Sequence, residues 1–164
     1  MPEPGRSPKI NPHVKLVIEP GFGSDDLHIG QTEQEVLTVL GKPESVTRKY
    51  KGQYFYNYPS QGMEIDFGKR GGRTKFLYFF RSGVRGNQGA KVVTSHGIKP
   101  GDRQRRVLEV LGDPQKAGPA TVLNSGTRLG EWFSYASGLN LQFGEDRRID
   151  MITVTKPYKP NRGT

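Results

Sequence analysis

The sequence predicts an α+β fold of two tandem repeats, each a short helical segment followed by a four-stranded antiparallel sheet. Three observations carry that expectation. Gly30–Pro43 aligns without gaps on Gly101–Pro114 and shares half its positions: both glycines, the V-L-x-V-L core and the proline. Further on, Tyr58 and the run Gly62–Gly68 are answered in the same order by Tyr135 and Gly138–Gly144. Around these blocks, apolar and polar residues alternate with the two-residue period of half-buried strands. Two blocks repeated in one order point to internal duplication.

Each repeat opens on a helix. Thr32 with Glu35 three residues on is a capping-box pattern, and Asp102 is an acceptable N-cap in the second copy. Val36, Leu37 and Leu40 recur at helical spacing, as do Val107, Leu108 and Leu111, giving one apolar stripe each. Gly41 and Gly112 stand where a left-handed C-terminal cap is wanted, and Pro43 and Pro114 act as stops. Strands are expected at 45–50, 53–58, 63–67 and 75–80, then at 121–124, 131–135, 139–143 and 149–155. In the third strand of each copy, Met63, Ile65 and Phe67 (or Leu139, Leu141 and Phe143) face the helix. The organisation that follows is a Pro-rich N-terminal segment at 1–26, repeat 1 at 27–80, a Gly/Arg-rich connector at 81–91, repeat 2 at 92–157 and a C-terminal tail at 158–164. Prolines keep both end segments out of helices and central strands, so they read as solvated tails.

Composition narrows the function classes. The 164 residues include 25 Lys+Arg, 16 Asp+Glu, three His and no cysteine. Without cysteine there is no disulfide framework, thiolate zinc site or cysteine nucleophile. No apolar run approaches the roughly 20 residues of a membrane-spanning helix. The start carries no charged-then-apolar signal pattern, so a cytoplasmic address is the default, and an exported one follows if the chain is a mature form. Apolar residues are only 32% of the chain, as two single-faced sheets require. The formal charge of +9 biases the chain toward acidic partners. It is spread, with 13 Lys+Arg against 9 Asp+Glu through Gly86 and 12 against 7 afterwards, so no single nucleic-acid groove stands out.

A helix ending in V-x-x-x-L-G-x-P, followed by antiparallel strands that include a Tyr-x₃-Gly-φ-x-φ-x-Phe run, resembles the beta-lactamase inhibitory protein fold. The unit is also similar to the small lipoprotein of the bacterial outer-membrane barrel-assembly machinery. The inhibitors carry two such units in tandem, and the match spans residues 27–80 and 96–157. The sequence has neither the inhibitors' disulfides nor the lipoproteins' acylated cysteine. The resemblance implies protein binding through the sheet face that the helices leave open.

Strand alternation names that face independently. Tyr54, Tyr56 and Tyr58 share the helix-covered side with Phe133 and Tyr135, which leaves Phe55, Asn57, Glu64, Asp66, Trp132, Ser134, Asn140 and Gln142 on the open side. Leu77 and Phe79 are expected to join them, because Phe76–Phe80 is apolar on both faces. Aromatics among polar groups have the composition of a protein-binding surface, and Trp132 is its first anchor. Lys69, Arg70, Arg73, Arg147 and Arg148 cluster at turns, where they are candidate contacts to an anionic partner.

Catalysis has little support. His13, His28 and His96 are scattered, Glu64 and Asp66 have only neutral counterparts in Asn140 and Gln142, and no phosphate-loop glycine pattern exists. No cofactor or metal is expected. The reading is a non-enzymatic protein-binding or scaffold module, such as a peripheral subunit of a larger or membrane-associated assembly. The competing reading is a basic adaptor for nucleic acid or an anionic membrane surface.

Overall fold

The structure, a computed structural model, describes residues 16–49, 52–119, 121–122 and 128–160. Their order is β1 (Leu16–Ile18), α1 (Glu33–Leu40), β2 (Ser45–Lys49), β3 (Gln53–Tyr58), β4 (Met63–Asp66), β5 (Phe76–Phe80) and β6 (Val92–Thr94). Then follow α2 (Gln104–Leu111), β7 (Lys116–Gly118), β8 (Thr121–Val122), β9 (Arg128–Leu129), β10 (Trp132–Tyr135), β11 (Leu139–Phe143) and β12 (Ile149–Val154). The chain is α+β, with two helices and one large antiparallel sheet ordered β2-β3-β4-β5-β12-β11-β10-β7. The sheet is joined at its centre by β5 and β12, paired from Leu77↔Val154 to Phe80↔Met151.

Alternation determines which side is buried. Tyr54, Tyr56, Tyr58, Ile65, Phe67, Phe133, Tyr135, Leu139, Leu141 and Phe143 pack into one core with Val36, Val39 and Leu40 of α1 and Val107 of α2. In α1, Leu37 is only partly buried and Val39 takes the buried position expected for it; in α2, Leu108 turns to solvent at 38% exposure. The reason is the same in both helices: each has only eight residues, so few of its positions face the sheet. The capping box at Thr32 forms as expected, with Glu35 N–H donating to the Thr32 hydroxyl at 3.2 Å and Thr32 N–H donating to Glu35 at 3.3 Å. The second helix departs from expectation: its N-cap is Arg103, with no side-chain cap. Asp102 is turned inward instead, accepting from Lys99 N–H at 3.0 Å. Both helices end on glycines with positive φ, Gly41 at 80° and Gly112 at 74°. The Tyr58 hydroxyl donates to the Gly41 carbonyl at 2.9 Å, and the Tyr135 hydroxyl to the Gly112 carbonyl at 2.9 Å.

Three segments differ from the sequence expectation. The strand pairing with β10 is β7 at Lys116–Gly118, whereas Thr121–Val122 pairs with Arg128–Leu129 in a separate ribbon; the rest of the expected strand at 121–124 lies outside the described residues, as do 1–15, Tyr50 and 161–164. Leu16–Ile18, placed in the N-terminal tail, runs parallel to Val92–Thr94. At the other end, Tyr158 N–H donates to the Ala136 carbonyl at 2.9 Å, so the first residue of that tail is packed while Lys159 and Pro160 are exposed. Among the described residues no helix is long and apolar enough to cross a membrane.

Candidate functional site

The register assigns every side chain of the sheet to a face. One row on the side away from the helices runs Ser45, Asn57, Glu64, Tyr78, Thr153, Asn140, Ser134 and Lys116, one residue from each strand, with Thr153 buried at its centre. Phe55, Asp66 and Phe76 flank it on one wing, and Met151, Gln142 and Trp132 on the other. Phe55, Asn57, Glu64, Asp66, Trp132, Ser134, Asn140 and Gln142 therefore share the face expected of them.

Leu77 and Phe79 do not. Leu77 lies between Ile65 and Val154, Phe79 between Met63 and Ile152, and both are completely buried in the helix-covered core. That side of β5 belongs to Phe76, Tyr78 and the fully buried Phe80, which the sequence reading left out. An apolar run gives no parity of its own; only the pairing of Glu64 with Tyr78 reveals it.

Phe55, Phe76 and Tyr78 form a half-exposed aromatic cluster. Tyr78 meets Phe55 edge-on at 6.3 Å between ring centroids and stacks on Phe76 at 6.1 Å. Burial, then the nearby Asp66 and Glu64 carboxylates, push the Tyr78 hydroxyl up to about 12, so it stays a neutral donor at physiological pH. Asn57 bridges the β2 hydroxyls, donating to Thr47 at 2.8 Å and Ser45 at 3.1 Å.

Trp132 is 43% exposed and lies over Gly118, where any Cβ would overlap the indole. It is separated from Phe55 by five strand spacings, or roughly 24 Å. The two aromatics expected in one patch therefore stand on opposite wings. Two segments close part of the face between and beside them. The connector runs past Phe80, which is fully buried outside the main core beneath Arg85 at 5.8 Å, and Ala90 N–H donates to the Phe80 carbonyl at 2.9 Å. Tyr158 shares a 2.9 Å hydroxyl contact with Ser134 and lies under the Lys116 ammonium at 4.8 Å.

Burial also raises the Asp66 carboxyl above the usual range, opposed by the Gly68 N–H, which donates to it at 2.7 Å, and by Lys75. A raised folded-state value means that the fold holds this proton more tightly than the unfolded chain does. The contribution is present below the unfolded value and lost as pH rises through the folded one. Asp66→Asn keeps the acceptor for Gly68 and removes the buried charge. Urea unfolding is expected to show the variant more stable than wild type at pH 7, with the difference gone near pH 4; a less stable variant at pH 7 would contradict this.

The basic candidates stand away from the open face. Lys69, Arg70 and Arg73 occupy the β4–β5 turn, where Arg73 donates to the Gly30 carbonyl at 2.9 Å. Arg147 and Arg148 occupy the β11–β12 turn, where Arg148 donates to the Gly101 carbonyl at 3.2 Å. His28 is stacked on Phe22 at 4.8 Å. Ser95 Oγ donates to Glu19 at 3.0 Å and lies 3.5 Å from His96 Nδ1, so the carboxylate meets the serine rather than the imidazole. No group of three potential His, Asp or Glu metal ligands occurs among the described residues.

The sequence matches no family model and no curated protein. Solved structures do resemble the fold. One is a DUF4309 family protein, YjgB, from Bacillus subtilis subsp. subtilis str. 168, with TM-score 0.53 and 17% identity over 83% of this chain and 88% of that one. Another is a cysteine-rich secretory protein, SAV1118, from Staphylococcus aureus subsp. aureus Mu50, with TM-score 0.51 and 13% identity over 91% of this chain and 56% of that one. At these identities the likeness is one of fold alone.

Proposed function

We propose that this chain is a non-enzymatic protein-binding or scaffold module that docks a partner on the open sheet face. The observation that carries the reading is the half-exposed Phe55–Phe76–Tyr78 cluster, set beside a polar row that crosses all eight strands. Apolar rings rimmed by hydrogen-bonding groups suit a protein surface better than a small molecule. The Ser95–Glu19 contact supports a non-catalytic role, since the serine lacks an imidazole base backed by an acid.

The architecture fits two tandem repeats, residues 27–80 and 92–157 joined by 81–91, as in the beta-lactamase inhibitory protein fold. Two features support this. The strand order is the same counted inward from either edge to the central β5–β12 pair, and the Tyr58–Gly41 bond has its counterpart in Tyr135–Gly112.

The test is affinity capture from the native cell with wild type, Phe55→Ser, Trp132→Ser and, as a control in the β4–β5 turn, Arg70→Gln, followed by mass spectrometry. A protein held by wild type and Arg70→Gln but lost with Phe55→Ser or Trp132→Ser is expected. Equal capture by all four refutes the face assignment.

A further inference from the structure

The two helices begin in opposite electrostatic settings. The first turn of α1 carries Glu33 and Glu35, and Glu33 ties the helix to the neighbouring hairpin by accepting from the Tyr56 hydroxyl at 2.7 Å and from Gly71 N–H at 2.9 Å. Burial works against ionisation of Glu33, yet these hydrogen bonds outweigh it and hold the carboxyl below its usual range. The first turn of α2 holds no acidic residue; Arg103, Arg105 and Arg106 stand there, Arg106 paired at 3.6 Å with Asp102 just ahead of the helix, and Gln104 N–H donates to the Arg147 carbonyl at 2.9 Å. Cations at this end of a helix oppose its dipole, and of the three arginines only Arg106 is offset by Asp102.

Beside the other two arginines the surface is open. Between the start of α2 and the β11–β12 turn lies a solvent-open cavity of about 920 Å³, lined by Arg103, Arg105, Arg147 and Arg148. Two acids also line it, but Asp146 is already held by Arg81 at 2.7 Å, which leaves Glu109. Arg148 is partly engaged by the Gly101 carbonyl, whereas Arg103, Arg105 and Arg147 make no side-chain hydrogen bond or ion pair among the described residues. Arginines lining one concavity match an oxyanion that accepts several forked hydrogen bonds.

We propose that this cavity binds a phosphate-type oxyanion, with Arg103, Arg105 and Arg147 as its principal contacts. The site is separate from the open sheet face and does not depend on that reading.

The probe is inorganic pyrophosphate, titrated at low salt into the full chain while backbone amide signals are followed by NMR. Saturable shifts are expected at residues 103–106 and 146–148, with affinity at least about tenfold weaker in Arg103→Gln and Arg147→Gln. Lys69→Gln/Arg73→Gln, at the other hairpin, should bind as wild type does. Arg105→Gln serves as a second variant, and unfolding midpoints confirm that each variant is folded. Co-sedimentation with phosphatidic acid vesicles, competed by pyrophosphate, would assign the anion to a lipid headgroup; pyrophosphate binding without vesicle binding would assign it to a free phosphate. Either result supports the site. Absence of saturation, or equal weakening by the Lys69/Arg73 variant, overturns it.

Discussion

Leu77→Ala is expected to lower stability by about 2–5 kcal/mol, and Phe79→Ala by about 3–5 kcal/mol, whereas Phe55→Ala costs about 1 kcal/mol or less. Leu77 and Phe79 lie on β5 and Phe55 on β3, with β4 between, and the three would be equivalent if all faced solvent. Leu77 and Phe79 instead fill positions with no exposure, between Ile65 and Val154 and between Met63 and Ile152, so truncation leaves cavities that a close-packed sheet and its helices cannot collapse into. Phe55 gives up only ring contacts on a half-open surface. Urea unfolding at pH 7 measures all three. A loss at Phe55 equal to that at Leu77 would mean that the register of β5 is shifted by one residue.

Gly138→Ala is expected to cost about 3 kcal/mol or more, a large effect for one methyl group. Gly138 has φ +96°, and a Cβ there would overlap the Thr155 carbonyl and the backbone of Gly21. Its carbonyl accepts from Gly21 N–H at 3.2 Å and Thr155 N–H at 3.1 Å, so the β10–β11 turn joins the segment after β1 to the segment after β12. Gly83→Ala separates the two contributions. Gly83 has a comparable φ of +88° but nothing within 4 Å of a new Cβ, so it reports backbone strain alone, about 1 kcal/mol. Amide exchange at Gly21, Thr155 and Tyr158 should accelerate in Gly138→Ala and remain as in wild type in Gly83→Ala. Equal stability of the two variants would remove the steric argument.

Much of the arrangement is legible in the sequence because alternation is a local property. Met63–Ile65–Phe67 and Tyr54–Tyr56–Tyr58 carry their own parity, and the Thr32–Glu35 box and the helix-ending glycines act within a few residues. What was missed depends on partners distant in sequence. Phe76–Phe80 is apolar at every position, so only β4 and β12 decide that Tyr78 looks outward and Leu77 inward. Lys116–Gly118 has no strand signal of its own and pairs because β10 offers it an edge. Leu16–Ile18 is a strand because Val92–Thr94 lies alongside it. The arginine cavity joins a helix start to a turn some forty residues later, and its members read singly as ordinary charged turn residues.

The placement of β12 has a consequence for how the chain is made. It is the last of the sheet strands to be synthesised, yet it occupies the centre, between β5 and β11. Until Ile149–Val154 leaves the ribosome, β5 presents Phe-Leu-Tyr-Phe-Phe along an unpaired edge, a sequence of the kind that recruits foreign strands. The interval between translation of residue 80 and residue 154 is therefore when the nascent protein is most exposed to misassembly, and arrival of a single six-residue strand ends it.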